Sequence, residues 1–145
     1  MSTQMLNFND YFEDEYQFSL KGVSYTKIEC EEAFSGYELK IADTLQTELK
    51  ENTLSITFAR DIYFEPKSFF KLRVSFDILL HLRDTVRKTA DKIDWEQELL
   101  KNPNPYLGNV VSRASHLIAE ITASYGQQPL ITPPNPVPQE DTANH

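Results

Sequence analysis

The chain has 145 residues, enough for one domain with a modest core. Its formal net charge of −8 argues against nucleic acid as a partner, because phosphate recognition needs clustered Lys and Arg. The lone Cys30 excludes an internal disulfide and any multi-cysteine metal site, and no apolar run approaches the roughly 20 residues that cross a bilayer.

Met1 to Glu15 is acidic with scattered aromatics. It lacks a basic start followed by an apolar run, so it is no secretion signal, and a loosely ordered segment 1–15 in a cytoplasmic protein is expected. A first strand is predicted over Tyr16 to Glu32, with Phe18 and Leu20 on one parity and Val23 and Tyr25 on the other. The phase changes at Gly22, which predicts a bulge or kink there.

Three regular strands follow. Tyr37 to Lys50 carries Tyr37, Leu39, Ile41, Leu45 and Leu49 on odd positions. Thr53 to Glu65 carries Leu54, Ile56, Phe58, Ile62 and Phe64 on even positions, and Phe69 to Arg83 continues with Phe70, Leu72, Val74, Phe76, Ile78, Leu80 and Leu82. Such alternation means one buried face and one wetter face. The connections Lys50-Glu51-Asn52 and Glu65-Pro66-Lys67-Ser68 are short enough for antiparallel hairpins. The opposite face mixes Ala42, Thr44, Thr57, Ala59, Tyr63, Ser75 and Leu79 with Lys40, Glu48, Asp61 and Asp77. It reads either as a solvated surface or as a partly used contact face.

Thr85 to Ile93 fits a helix weakly. Asp94 with Gln97 at the capping-box position predicts a short helix over Trp95 to Lys101, anchored by Trp95 and broken at Asn102-Pro103. A long helix then begins at Asn104-Pro105, a cap followed by a residue suited to the first helical position. It has two seams. Leu107, Val110, Val111, Ala114, Leu117, Ile118, Ile121 and Tyr125 form a broad apolar stripe that suits the sheet. Gly108, Ser112, Ser115, Ala119 and Ala123 form a stripe with almost no side-chain bulk, where a second backbone, such as that of another copy, can approach. Gly126 and the prolines beyond it end the helix. Residues 16–134 are thus expected to form a single α+β domain: a four-stranded antiparallel sheet, a short helix and one long C-terminal helix. The tail 135–145 is expected to be disordered.

Catalytic chemistry finds no constellation. His81, His116 and His145 are far apart, Cys30 has no nucleophile pattern around it, and Gly22, Gly36, Gly108 and Gly126 form no phosphate loop. The cluster Glu29, Glu31, Glu32 reads as a solvated strand end. No enzyme activity and no cofactor are expected.

The order of four strands, short crossover, long helix and proline-rich exit resembles the SecB family of protein-export chaperones. The resemblance is sharpest in Asn104-Pro105-Tyr106, Val111-Ser112-Arg113, the Gly126 stop and Pro129-Leu130-Ile131-Thr132-Pro133-Pro134. It extends to Val23-Ser24-Tyr25-Thr26-Lys27 and Glu38-Leu39-Lys40-Ile41, and covers about Phe18 to Pro134. It implies a homotetramer, a dimer of dimers with long helices packed between two sheets. It implies an ATP-independent holdase that binds unfolded polypeptides in apolar grooves, with Phe34, Leu39, Ile41, Leu130 and Ile131 at the matching client-contact positions. It also implies docking of the SecA motor through an acidic surface, for which Glu29 and Glu32 are the matching positions. The sequence Asn135 to His145 does not resemble the family's motor-binding tail, which leaves a non-enzymatic adaptor, or a SecB-like protein serving an antitoxin, as the alternative.

Overall fold

The computed structural model describes residues 6–29, 36–102, 104–124 and 128–137. Phe34, Glu32, Cys30 and Gly126, singled out above, lie outside these residues. The strands are β1 (Phe12–Ile28), β2 (Glu38–Lys50), β3 (Thr53–Glu65) and β4 (Phe69–Leu82); the helices are α1 (Phe8–Tyr11), α2 (Arg87–Ala90), α3 (Trp95–Lys101) and α4 (Pro105–Ala123). A turn of 3₁₀ helix, Asp84–Val86, precedes α2. The sheet is wholly antiparallel in the order β1-β4-β3-β2, so β1 and β2 are its edges.

The period-two pattern sets the register. Leu54, Ile56, Phe58, Ile62, Leu72, Val74, Phe76, Ile78, Leu80 and Leu82 are all buried on one face, beneath α4. That helix contributes Leu107, Val110, Val111, Ala114 and Ile118 to the same core. Each such side chain contributes roughly 1.5–3 kcal/mol of burial, which offsets the entropy lost on ordering the chain. β1 pairs with β4 through a register shift between Leu20 and Gly22, where the sequence changes phase. The β2–β3 hairpin closes through Glu51 and Asn52, with Glu51 at φ 51° supplying the positive φ that a tight hairpin needs. On the opposite face, cross-strand pairs replace apolar packing. Thr57 donates to Asp77 at 2.8 Å and Arg73 to Asp61 at 2.6 Å.

Asn104 caps α4 by accepting from the Leu107 amide at 2.8 Å, and its Nδ2 donates back to the carbonyls of Leu99 and Asn102. Asp94 caps α3 by accepting from the Gln97 amide. Trp95, the first residue of α3, buries its ring and donates from Nε1 to the Ala90 carbonyl at 3.1 Å.

The chain before Tyr16 departs from expectation. Phe12 opens β1 four residues earlier than predicted, and Phe8 lies on α1, capped by Asn7. Both rings are buried against Trp95 and Tyr106, with centroid separations of 5.0–6.4 Å. The acidic neighbours Glu13, Asp14 and Glu15 face outwards and mask two core residues in the sequence. Burial in this aromatic nest, with the Asp14 carboxylate nearby, pushes the Tyr106 phenol above its ordinary value.

Candidate functional site

The C-terminal segment 128–137, called the strap below, crosses α4 and runs over the buried face of β3 and β2. Two hydroxyls on α4 guide it. Thr122 accepts from the Leu130 amide at 2.8 Å, and Ser115 donates to the Thr132 carbonyl at 2.5 Å. Its next anchor is a charged pair on the sheet itself. Arg60 of β3 and Asp43 of β2 stand directly opposite each other, both pointing to the buried face. The Arg60 side chain is fully buried. Its Nε and Nη2 donate to the two Asp43 oxygens, each at 2.7 Å, in a bidentate fork. The remaining N–H groups of Arg60 reach the strap: Nη1 donates to Thr132 Oγ1 at 3.0 Å and to the Pro133 carbonyl at 2.6 Å, and Nη2 to the Asn135 carbonyl at 3.1 Å. All five guanidinium donors therefore have acceptors. Asp43 Oδ2 also accepts from the Val137 amide at 2.7 Å. Burying two charges in a sheet is tolerable only with such complete pairing.

A groove of about 440 Å³ opens beside this pair. Leu45 and Phe58 form its floor, Glu96 and Leu100 of α3 one wall, and Pro136 and Val137 of the strap the other. Leu100 is 53% exposed, unusual for a leucine on a helix that also buries Trp95 and Leu99. Glu96 accepts from the Thr47 amide at 3.3 Å, capping an N–H that edge strand β2 cannot give to β3.

A second apolar area lies at the far end of the sheet. Phe69 and Tyr37 are 50% and 42% exposed, stacked edge-on at 4.7 Å, and Phe64 touches Phe69 at 4.9 Å. Phe69 adopts φ 62°, a left-handed conformation that costs a bulky residue roughly 1–3 kcal/mol and is offset by its ring contacts. A groove of about 290 Å³ beside it is lined by Ile28, Phe64, Phe70, Lys67 and Lys71. A shallow trough of about 650 Å³ separates α4 from β1, with Ser112, His116 and Glu120 facing Phe18 and Leu20, and Arg113 over the Phe18 ring.

The predicted positions fall into three groups. Leu39 and Ile41 are half-buried, packed against the core opposite Phe64 and Ile62, and Leu130 packs on the same core. Ile131 is 79% exposed. Phe34 and Glu32 are outside the described residues; Glu29 is exposed at the end of β1. In the slender seam of α4, Ser112 and Ala123 are exposed and Gly108 and Ala119 half-buried, with open space where a Gly108 side chain would stand. Ser115 is committed within the chain, since it holds Thr132 through two hydrogen bonds. Asn135 and Val137, expected in a disordered tail, are instead bonded to Arg60 and Asp43. Residues 138–145 lie outside the described residues.

Sequence periodicity did not find Arg60, Asp43 or Leu100. The trace of the charged pair is a matched interruption: the odd apolar series on β2 skips Asp43 and the even series on β3 skips Arg60. The tight turn at Glu51-Asn52 puts those two gaps face to face.

No family profile matches the sequence, and no curated protein matches it. Among the described residues no helix is long and apolar enough to cross a membrane. The fold is similar to that of a solved SecB-like chaperone of Mycobacterium tuberculosis, Rv1957, in complex with a ChAD peptide from the antitoxin HigA1 (Rv1956). The superposition has a TM-score of 0.54 at 8% identity and covers 81% of this chain and 89% of that one. The antiparallel four-stranded sheet, the short helices and the long C-terminal helix thus make up a SecB-like α+β fold.

Proposed function

We propose that this protein is an ATP-independent holdase that binds extended, unfolded polypeptide segments, without catalysis. The observation that carries the reading is the groove between β2, α3 and the strap. It combines an apolar floor, the exposed Leu100 and a strand margin, on a fold also used by a protein solved with a bound peptide. Apolar surface shaped as a groove captures extended chains with little sequence preference. The net charge of −8 keeps such a surface soluble and favours basic clients. The aromatic area around Phe69 and Tyr37, with Leu39 behind it, is a second contact zone.

The purified protein is expected to suppress aggregation of several unfolded substrates at near-stoichiometric ratio without nucleotide. Leu100→Asp is expected to weaken binding of a labelled unfolded client about tenfold, about 1.4 kcal/mol, while melting temperature holds; Phe69→Ser is expected to weaken it similarly but with some loss of melting temperature, because its ring contacts go as well. Failure to retard any unfolded substrate would remove the holdase reading.

Assembly into a homotetramer, a dimer of dimers in the cytoplasm, is part of the same proposal. The slender seam borders the open trough beside β1, and Leu20, Val23 and Tyr25 on that edge strand are exposed. Ser112→Trp is expected to lower the native mass in light scattering, because Ser112 is exposed and lines the open trough beside β1. An unchanged mass would place the interface elsewhere.

A second reading is an adaptor with one dedicated partner, favoured by the antitoxin origin of the peptide held by the similar chaperone. Affinity capture separates the two: a holdase recovers many unfolded proteins, an adaptor one or two folded ones. SecA docking through Glu29 and Glu32 is tested directly by a mixing experiment with SecA.

A further inference from the structure

We propose that Arg60 and Asp43 form a binding site for peptide main chain, which residues 133–137 of the strap occupy in place of a client. An extended client segment displaces those residues and takes over their hydrogen bonds. The proposal rests on the holdase reading and concerns the regulation of the same groove.

The chemistry of the strap's contacts supports it. Between Pro133 and Val137 the pair is met only by backbone atoms: the carbonyls of Pro133 and Asn135 accept from Arg60, and the amide of Val137 donates to Asp43. The contacting residues alternate, the spacing that any extended chain presents on one side. Nothing in this set reads a side chain, so a foreign segment with the same conformation offers the same two acceptors and one donor. Thr132, whose hydroxyl accepts from Arg60 and donates to Ser115, is the point at which the strap adds a contact of its own.

The strap is also weakly held beyond that point. Pro133, Pro134 and Asn135 are exposed, and Pro136 and Val137 are only half-buried, so little apolar surface secures them. Three prolines among five residues fix an extended shape before docking and remove N–H groups that could join the β2 edge. The segment is therefore built to occupy the pair without becoming a permanent strand. Asp43 and Val137 both line the open groove, so an occupant moving along its floor of Leu45 and Phe58 arrives at the strap's last hydrogen bond. The interior charges give the mechanism its requirement for exchange. A departing strap leaves the buried Arg60 guanidinium short of acceptors inside the protein, a state that favours immediate replacement by another main chain.

The test uses the full-length protein and a fluorescent, reduced and carbamidomethylated ribonuclease as the unfolded client. Thr132→Val with Val137→Pro removes the hydroxyl and the amide that hold the strap, while Arg60 and Asp43 stay intact; Val137→Pro alone is the milder variant. Loosening a competing segment raises the fraction of protein ready to bind, so probe affinity is expected to rise about threefold or more in both variants. In the unaltered protein, saturating probe is expected to speed hydrogen exchange at the Val137 amide, read by NMR. Equal or weaker probe affinity in the variants, or slower or unchanged exchange at Val137, overturns the proposal while the holdase reading stands. Tighter binding by the variants than by the unaltered protein, with both still binding, supports it. No binding by either protein removes the holdase reading and this proposal together.

Discussion

Replacing Arg60 by methionine is expected to destabilise the fold by about 3–5 kcal/mol, measured by urea denaturation. The reason is arithmetic of partners. The guanidinium satisfies both oxygens of Asp43, two carbonyls and a hydroxyl of the strap, all at the edge of the core. Methionine fills a similar volume but leaves the Asp43 carboxylate inside the protein without its bidentate guanidinium partner. Removing one member of a buried charged pair costs far more than the pair itself contributes. The double substitution Arg60→Met with Asp43→Leu is accordingly expected to recover much of the loss in the sheet while leaving the strap undocked. If the single variant is as stable as the parent, the pair does not occupy a dry site and the description of this region is wrong.

Trp95→Ala is expected to cost about 3–5 kcal/mol, the range for deleting a buried aromatic. The indole meets Phe8, Tyr11 and Phe12 and ties α3 to the Ala90 carbonyl. Its loss therefore frees the N-terminal helix as well as α3. Because Glu96 and Leu100 ride on α3, the groove proposed to hold clients loses a wall, and probe binding is expected to fall with stability. Trp95→Phe keeps the apolar contacts and removes the hydrogen bond, so a loss nearer 1 kcal/mol is expected there. A large stability loss with unchanged client affinity would detach α3 from the groove.

Much of the architecture was legible because period-two and helical spacing are local properties. Leu54 through Leu82 alternate, the turn residues at Glu51-Asn52 are short and polar, and Asn104-Pro105 announces α4; these elements fold as read. The residues that were not legible are those whose role depends on a distant partner. Phe8 and Phe12 sit among acidic residues, and only contact with Trp95 and Tyr106 makes them core. Ser115 reads from the sequence only as part of the slender seam, and Thr122 draws no notice, because which residues the strap crosses is not a local property. Arg60 and Asp43 interrupt two apolar series, and a polar residue in a periodic run carries no mark of whether it faces water or a buried mate. Phe69 falls outside the even apolar series of its strand, and alternation says nothing about a left-handed backbone. The slender seam of α4 is a real feature of the helix, but its middle residue serves the strap.

Glu96 has a consequence for safety. A holdase of the kind proposed, gripping chains along an open sheet margin, would risk becoming a seed, because each guest strand exposes a fresh margin to the next. By plugging the Thr47 amide with a carboxylate, α3 interrupts the row of donors a guest could use. On the proposed holdase reading, a visitor would be gripped over a few residues but could not zip along the whole strand, which would keep capture shallow, reversible and confined to one layer.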